Sequence, residues 1–380
     1  TELCQEYGGA TMVEVLQTLQ DLSERRVRRG LAEWPDGEAE GEIQLAPDGV
    51  VTDTVVRFNV RVIKAGENIT FDFSGSSPSF RGPQNLRPQS AEAAAMLALV
   101  SYVDPTIPIN YGCRQPISFV FPEGSVVNPR FPTPVGSYFA STVMLYSAIL
   151  KALARFNPPR AVASMGFGTS GPGLGYRQGR AGKPAVQYEI LVPSMGASSG
   201  SDGAFVVTPM GHITPNTPVE ILETEFPVRV ERFEPRIDSA GPGYNRGGLG
   251  YRKQYRTLTD AVLNFRRMRA QGVWGVFGGG APAEPVCSVN TGTEAEERLA
   301  FPVTRDLREG HTVEYQGQGG GGYGDPFTRE PARVLEDVLN GYVSVEGAAA
   351  GYGVVIDQAR LTLDLDGTTR LRQRTPVGVG

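Results

Sequence analysis

The stretch GQGGGGYGDPFTREPARVLEDVLNGYVS, Gly317 to Ser344, decides how the rest of the chain is read. It sets five glycines in six positions, Gly317 and Gly319 to Gly322, and then breaks at Asp325-Pro326. Gly317, Gly319 and Gly322 satisfy G-x-G-x-x-G, but a dinucleotide-binding turn needs a helix opening directly from its last glycine. Here Tyr323-Gly324-Asp325-Pro326 follows instead. Pro326 keeps Asp325 out of helical dihedrals, so the next helix begins only at about Thr328 to Pro331. No helix N-terminus is aimed at the glycines, and the phosphate-cradle reading fails on that ground.

A chain of 380 residues is long enough for two or three domains and a sizeable core. Its net charge of -5, with 20% charged residues, gives no bulk attraction for a polyanion, so nucleic acid is not an expected partner. Cys4, Cys113 and Cys287 are far apart and lack C-x-x-C spacing, which fits a reducing, cytoplasmic setting and no cysteine zinc site. The longest apolar run, Ala93 to Val100, is far short of a membrane span. With 48 glycines and 29 prolines spread through apolar-patterned segments, the composition predicts a turn-rich globular fold of many short strands.

Thr11-Met12-Val13-Glu14 reads as a capping box, and Met12, Val15, Leu16, Leu19, Leu22 and Val27 follow at helical spacing to about Arg29. Glu24, Arg25, Arg26, Arg28 and Arg29 form its solvated face. From Thr54 the period becomes two: Val56, Phe58, Val60 and Val62 alternate with polar residues, and Ala65-Gly66-Glu67-Asn68 turns the chain into Ile69 to Phe73, a hairpin with one buried face. Helices are expected over 89–102 and 141–155, then strands and glycine loops beyond Pro158 until a short helix at 331–339. The fold class is α+β, mixed and β-rich: short strands and glycine-rich loops with a few amphipathic helices. The expected organisation is an N-terminal helical segment over 1–50, a hairpin-and-helix region over 51–160 and a strand-and-glycine-loop region over 161–380.

Three patterns resemble chemistry without its context. Gly196-Ala-Ser-Ser-Gly200 satisfies G-x-S-x-G, yet another turn follows where a nucleophile elbow needs a helix. Thr1 is an N-terminal nucleophile only if the chain naturally starts there. The two histidines, His212 and His311, are far apart and have no carboxylates at ligand spacing, so no complete metal site is expected in this chain. His212 opens the most polar window, with Asn216, Glu220, Glu223 and Glu225 close behind it and a strand at 227–233. These groups either line a pocket at a strand end or belong to a turn whose glutamates face water.

The segment GGGGYGDPFTREPARVLEDVLNGYVS, with Tyr352 to Ile356, closely resembles the C-terminal signature of the hydantoinase B / 5-oxoprolinase family. FDFSGSSPSFRGPQN (71–85), IPINYGCRQPISFVFPEGSVVNP (107–129), NTPVEILETEFPVRVERFEPRIDSAGPGYNRGGLGYRK (216–253) and WGVFGGG (274–280) resemble the same family in the same order. The resemblance spans essentially the whole chain and implies that the glycines are a structural turn cluster.

It further implies a B-type subunit of an ATP-dependent cyclic-amide hydrolase (hydantoinase, 5-oxoprolinase or lactamase type), related to acetone and acetophenone carboxylases. ATP belongs to an ATPase-like A-type subunit, which phosphorylates the substrate oxygen. A divalent metal (Mn, Zn or Fe) belongs to an N-terminal half that this chain lacks, or to a partner chain, so none is expected here. The small-molecule substrate can be a hydantoin, lactam, oxoproline or ketone. His212 is the expected proton donor or acceptor, with Glu189, Asp202, Asn216 and Glu220 as pocket residues. Tyr138-Phe139 and Tyr188-Glu189-Ile190 depart from the family pattern, whereas Met195-Gly196-Ala197 and Asp202-Gly203 keep it. Either a separate chain supplies the metal half, or this is a structural copy beside a B-type paralogue; a non-catalytic scaffold is the third reading.

Overall fold

The structure, a computed structural model, describes residues 2–46, 53–167, 171–180, 182–207, 216–265, 270–300 and 302–374. The chain forms two compact units, Thr1–Ala161 and Val162–Gly380. Its elements make it α+β, with short strands in several sheets. Among the described residues no helix is long and apolar enough to cross a membrane.

In the first unit, helices α1 (Glu2–Tyr7) and α2 (Gly9–Ala32) precede strands β1 (Gly37–Leu45), β2 (Val56–Ala65) and β3 (Asn68–Asp72), with helix α3 (Pro88–Val103), strand β4 (Ile117–Val120) and helix α4 (Tyr138–Leu153) after them. The hairpin forms as its alternation predicts: β2 buries Val56, Phe58, Val60 and Val62, and pairs antiparallel with β1 and β3. β4 adds parallel to β3. Helix α4 lies on this sheet at Gly41, where a Cβ would sit 1.8 Å from the Ala148 carbonyl oxygen. Glycine is what lets the helix approach.

The capping box does not form. Gly8, at φ 83°, separates α1 from α2, and α2 begins at Gly9, so Thr11 lies inside the helix. The apolar stripe divides as well. Ser23, Val27 and Leu31 are buried, with Ser23 Oγ donating to the Pro108 carbonyl at 2.9 Å, whereas Val15, Leu16, Leu19 and Leu22 on the same side are exposed.

The second unit runs β5 (Gly173–Tyr176), β6 (Ala185–Gln187), α5 (Val219–Glu225), β7 (Val228–Pro235), β8 (Tyr251–Thr257), β9 (Ala261–Phe265), β10 (Ala270–Gln271), β11 (Val286–Val289), β12 (Glu297–Arg298), β13 (Val303–Leu307), β14 (Thr312–Gln316), α6 (Pro331–Leu339), α7 (Val345–Tyr352), β15 (Val355–Asp357), β16 (Thr362–Asp364) and α8 (Leu365–Arg374). Sheets ordered β12-β11-β14-β8-β7 and β13-β9-β5-β6 share one core, including Leu174, Tyr251, Tyr255, Leu263, Phe265, Val313 and Tyr315. α6 starts at Pro331 as the sequence predicts, after a 3-10 turn at Pro326–Thr328 capped by Asp325. Helices α5, α7 and α8 replace expected strand or loop. α5 and α7 are too short to show a clear helical period.

The glycine segment is not a turn cluster. Among Gly317 to Gly322, the N–H groups of Gly320, Gly321 and Gly322 donate to the carbonyls of Gly248 (2.9 Å), Ser164 (2.8 Å) and Gly280 (2.9 Å). Their own carbonyls accept from Gly241 (2.8 Å), Ala197 (2.9 Å) and Val276 (2.9 Å). Successive residues thus reach different neighbours around the axis, a threefold pattern like polyproline II, where a sheet strand would alternate between two. A Cβ would sit 1.9 Å from Met195 O at Gly320, 2.1 Å from Trp274 O at Gly321 and 2.0 Å from Pro242 O at Gly322. Only glycine fits, and these three N–H groups are already engaged by protein carbonyls.

Candidate functional site

Two buried polar clusters in the second unit organise the residues singled out in the sequence. The first grows from β8, whose alternation turns Tyr251, Lys253, Tyr255 and Thr257 inward. A lysine on that face must find an acid or lose its charge. Lys253 Nζ lies 2.5 Å from Glu189 Oε1, with the side chains 1% and 4% exposed. Tyr255 OH donates to Glu189 Oε2, Gln187 Nε2 approaches the same oxygen at 3.5 Å, and Tyr176 OH donates to Gln187 Oε1 at 2.8 Å. Lys253 also sits 4.7 Å from the Phe233 ring centroid. Burial first, then the neighbouring Glu189 charge, pushes the Tyr255 and Tyr176 phenols above their ordinary pKa. Both stay protonated as donors.

The second cluster gathers the loops around the glycine bundle onto α6. Arg329 grips Asp202 with two parallel bonds, Nη1 to Oδ1 at 2.8 Å and Nη2 to Oδ2 at 2.9 Å, and reaches Asp337 at 2.8 Å. Arg246 Nε bonds Asp337 at 3.3 Å, its backbone N–H donates to Asp202 at 2.6 Å, and Arg333 approaches Asp202 at 3.2 Å. The Arg246 guanidinium lies 5.3 Å from the Phe205 ring and 5.1 Å from that of Tyr342. Burial alone would raise the Asp202 pKa; the Arg329 hydrogen bond and charge, with the Arg246 N–H, outweigh it and hold the carboxyl below its ordinary range. Such bidentate pairs fix geometry as well as charge.

The four sequence-derived positions among the described residues, Glu189, Asp202, Asn216 and Glu220, are not brought together. Glu189 and Asp202 belong to separate clusters, and among the described residues neither bonds to Asn216 or Glu220. Asn216 and Glu220 are exposed, Glu220 in the first turn of α5. His212 lies outside the described residues. Lys253, Tyr255, Arg246, Arg329 and Asp337 escaped the sequence reading. The signal for Lys253 was present in the Tyr251-Lys253-Tyr255 alternation, which places a charge on the inward face of an otherwise apolar strand.

A divalent metal finds no fitting ligand set: among the described residues no group of three or more His, Cys, Asp or Glu can hold one. Glu189 and Asp202 are committed to Lys253 and Arg329. Burial, then Glu314, pushes the Cys287 thiol up to about 12, which removes it as a ready thiolate.

Comparisons with known proteins agree with the motifs. The family described as Hydantoinase B/oxoprolinase matches residues 1–326. The B subunit of a putative D-/L-hydantoinase from Pseudomonas sp. (strain NS671) is 31% identical over 98% of this chain and 64% of its own length. The acetophenone carboxylase delta subunit of Aromatoleum aromaticum is 27% identical over 98% of this chain and 60% of its own. The crystal structure of the ATP-dependent caprolactamase from Pseudomonas jessenii superposes with a TM-score of 0.84 at 26% identity, over 98% of this chain and 66% of that one. The chain thus spans about six-tenths of the length of the curated relatives it matches. Sequence pattern, signature residues and fold converge: the chain belongs to the hydantoinase B/oxoprolinase family.

Proposed function

We propose that the chain is a B-type subunit of an ATP-dependent cyclic-amide hydrolase and works only inside an assembly. An ATPase-like A-type partner phosphorylates the amide oxygen, turning a poor electrophile into one with a good leaving group. This chain supplies pocket walls and, through His212, a proton donor or acceptor for hydrolysis. The divalent metal is assigned to the remainder of the assembly.

One observation carries the assembly reading. The stripe of α2 that is buried at Ser23, Val27 and Leu31 continues outward as Val15 (44% exposed), Leu16 (55%), Leu19 (41%) and Leu22 (39%). Beside it the 3-10 turn at Tyr111–Arg114 packs on the helix, with Asn110 Nδ2 on Ser23 Oγ at 2.9 Å, leaving Ile109 and Tyr111 exposed. Monomers seldom leave so many neighbouring apolar side chains uncovered, and such patches mark protein interfaces.

A second reading, a structural copy in an acetone- or acetophenone-type carboxylase beside a catalytic paralogue, is favoured by the saturation of Glu189 and Asp202, which leaves both without a free role in catalysis.

The test is co-expression with the A-type subunit, followed by affinity capture and substrate-dependent ATP hydrolysis. Capture of a complex that hydrolyses ATP when given hydantoin, 5-oxoproline or a lactam supports the first reading. A response only to ketone and bicarbonate supports the second, and a chain that binds nothing sinks both. Leu16→Glu with Leu19→Glu should abolish capture without altering the fold, because it charges a stripe this chain leaves open.

A further inference from the structure

Next to the Arg246 end of the second cluster lies a half-open cavity of about 150 Å³, lined among others by Asp238, Arg246, Tyr342, Gly347 and Tyr352. Arg246 and Tyr352 are each 3% exposed. Arg246 uses Nε on Asp337 and Nη1 on the Gly247 carbonyl, and among the described residues its Nη2 has no hydrogen-bond partner. The Tyr352 hydroxyl has none among them either. Burial, partly offset by Arg246, keeps that hydroxyl protonated. Both donors still reach water through the cavity, so an acceptor bound there would take the place of that water.

On the exposed side stands Asp238, in a left-handed backbone conformation at φ 56°. One of its oxygens accepts from the Ser344 N–H at 2.9 Å. Gly347 keeps room for this carboxylate, since a Cβ there would lie 2.2 Å from Asp238 Oδ1.

Charge selects the ligand. The charged residues that line the cavity are Arg246 and Asp238, of opposite sign. A simple anion would meet Asp238, and a simple cation would meet Arg246. A ligand bearing both charges satisfies each wall. Size selects it further: an engineered protein cavity of this volume takes benzene, so about six non-hydrogen atoms fit. We propose that the cavity binds a small zwitterionic amino acid, its carboxylate held by Arg246 and Tyr352 and its ammonium by Asp238. The assignment rests on the cavity's own donors and acceptors and does not depend on the hydrolase reading.

Isothermal titration of the full chain with L-alanine, propionate and ethylamine tests it. L-Alanine should bind, and propionate or ethylamine alone should bind at least roughly tenfold more weakly, each having lost one charged contact. Tyr352→Phe, which removes only the hydroxyl, and Asp238→Asn, which tolerates the left-handed backbone and keeps an acceptor for Ser344, should each weaken L-alanine roughly tenfold. Unchanged thermal unfolding of both variants would certify their fold. No binding of L-alanine at tens of millimolar would mean a water-filled cavity and overturn the proposal. So would propionate binding as tightly as L-alanine, or variants that bind as well as the parent.

Discussion

Replacing Gly320 by alanine probes the glycine bundle at its most crowded point. The new methyl would sit 1.9 Å from the Met195 carbonyl oxygen and 2.3 Å from its carbon, both backbone atoms that no rotamer change can move aside. The segment must shift, which costs about 1–3 kcal/mol as overpacking. The shift strains two hydrogen bonds, Gly320 N–H to Gly248 O and Gly241 N–H to Gly320 O, at about 1 kcal/mol each. The total, about 3–5 kcal/mol, translates into a fall in Tm on the order of 10 °C for a unit of this size. Gly200→Ala is the control: nothing lies within 4 Å of its Cβ, so it should be neutral or stabilising by up to about 1 kcal/mol. Differential scanning calorimetry of the two variants reads both effects. A Gly320→Ala protein melting within about 2 °C of the parent would refute the close-packed bundle.

Lys253→Met leaves Glu189 buried without its cation and should cost about 3–5 kcal/mol in urea unfolding, whereas the double variant Lys253→Met, Glu189→Met should recover most of that loss; additive effects would deny the pairing. Asp202 titrates below its ordinary value when folded, so it stabilises the chain above the carboxylate range and this contribution is lost as pH falls through the folded pKa. Asp202→Asn should therefore flatten the decline of Tm between about pH 5 and pH 3, and an unchanged slope would remove Asp202 from acid unfolding. His212→Ala should lower turnover of the assembled complex without dissociating it; full turnover would take His212 out of the proposed site.

The elements with a strong local period were legible. The β2–β3 hairpin and helices α2, α3 and α6 announce themselves by spacing or by a proline at the helix start. The rejection of a phosphate cradle from Asp325-Pro326 was also right in outcome. Its physical cause was hidden, because Gly320, Gly321 and Gly322 bond to backbone atoms 40 to 160 residues away and backbone contacts leave no side-chain pattern. The same limit applies to Arg329, whose partners Asp202 and Asp337 are joined only by the fold. The stripe on α2 was visible, but periodicity says which residues share a face and not what covers it. Leu16 and Leu19 share the face of Val27 and Leu31 yet stay exposed in this chain, a difference the spacing does not encode.

Native mass spectrometry of the assembly from its own source, with peptide identification of each companion chain and metal analysis of the same sample, tests the subunit claim most directly. The account predicts an ATPase-like chain bound to this one, with a roughly stoichiometric divalent metal carried elsewhere in the complex. A lone, metal-free monomer would contradict it.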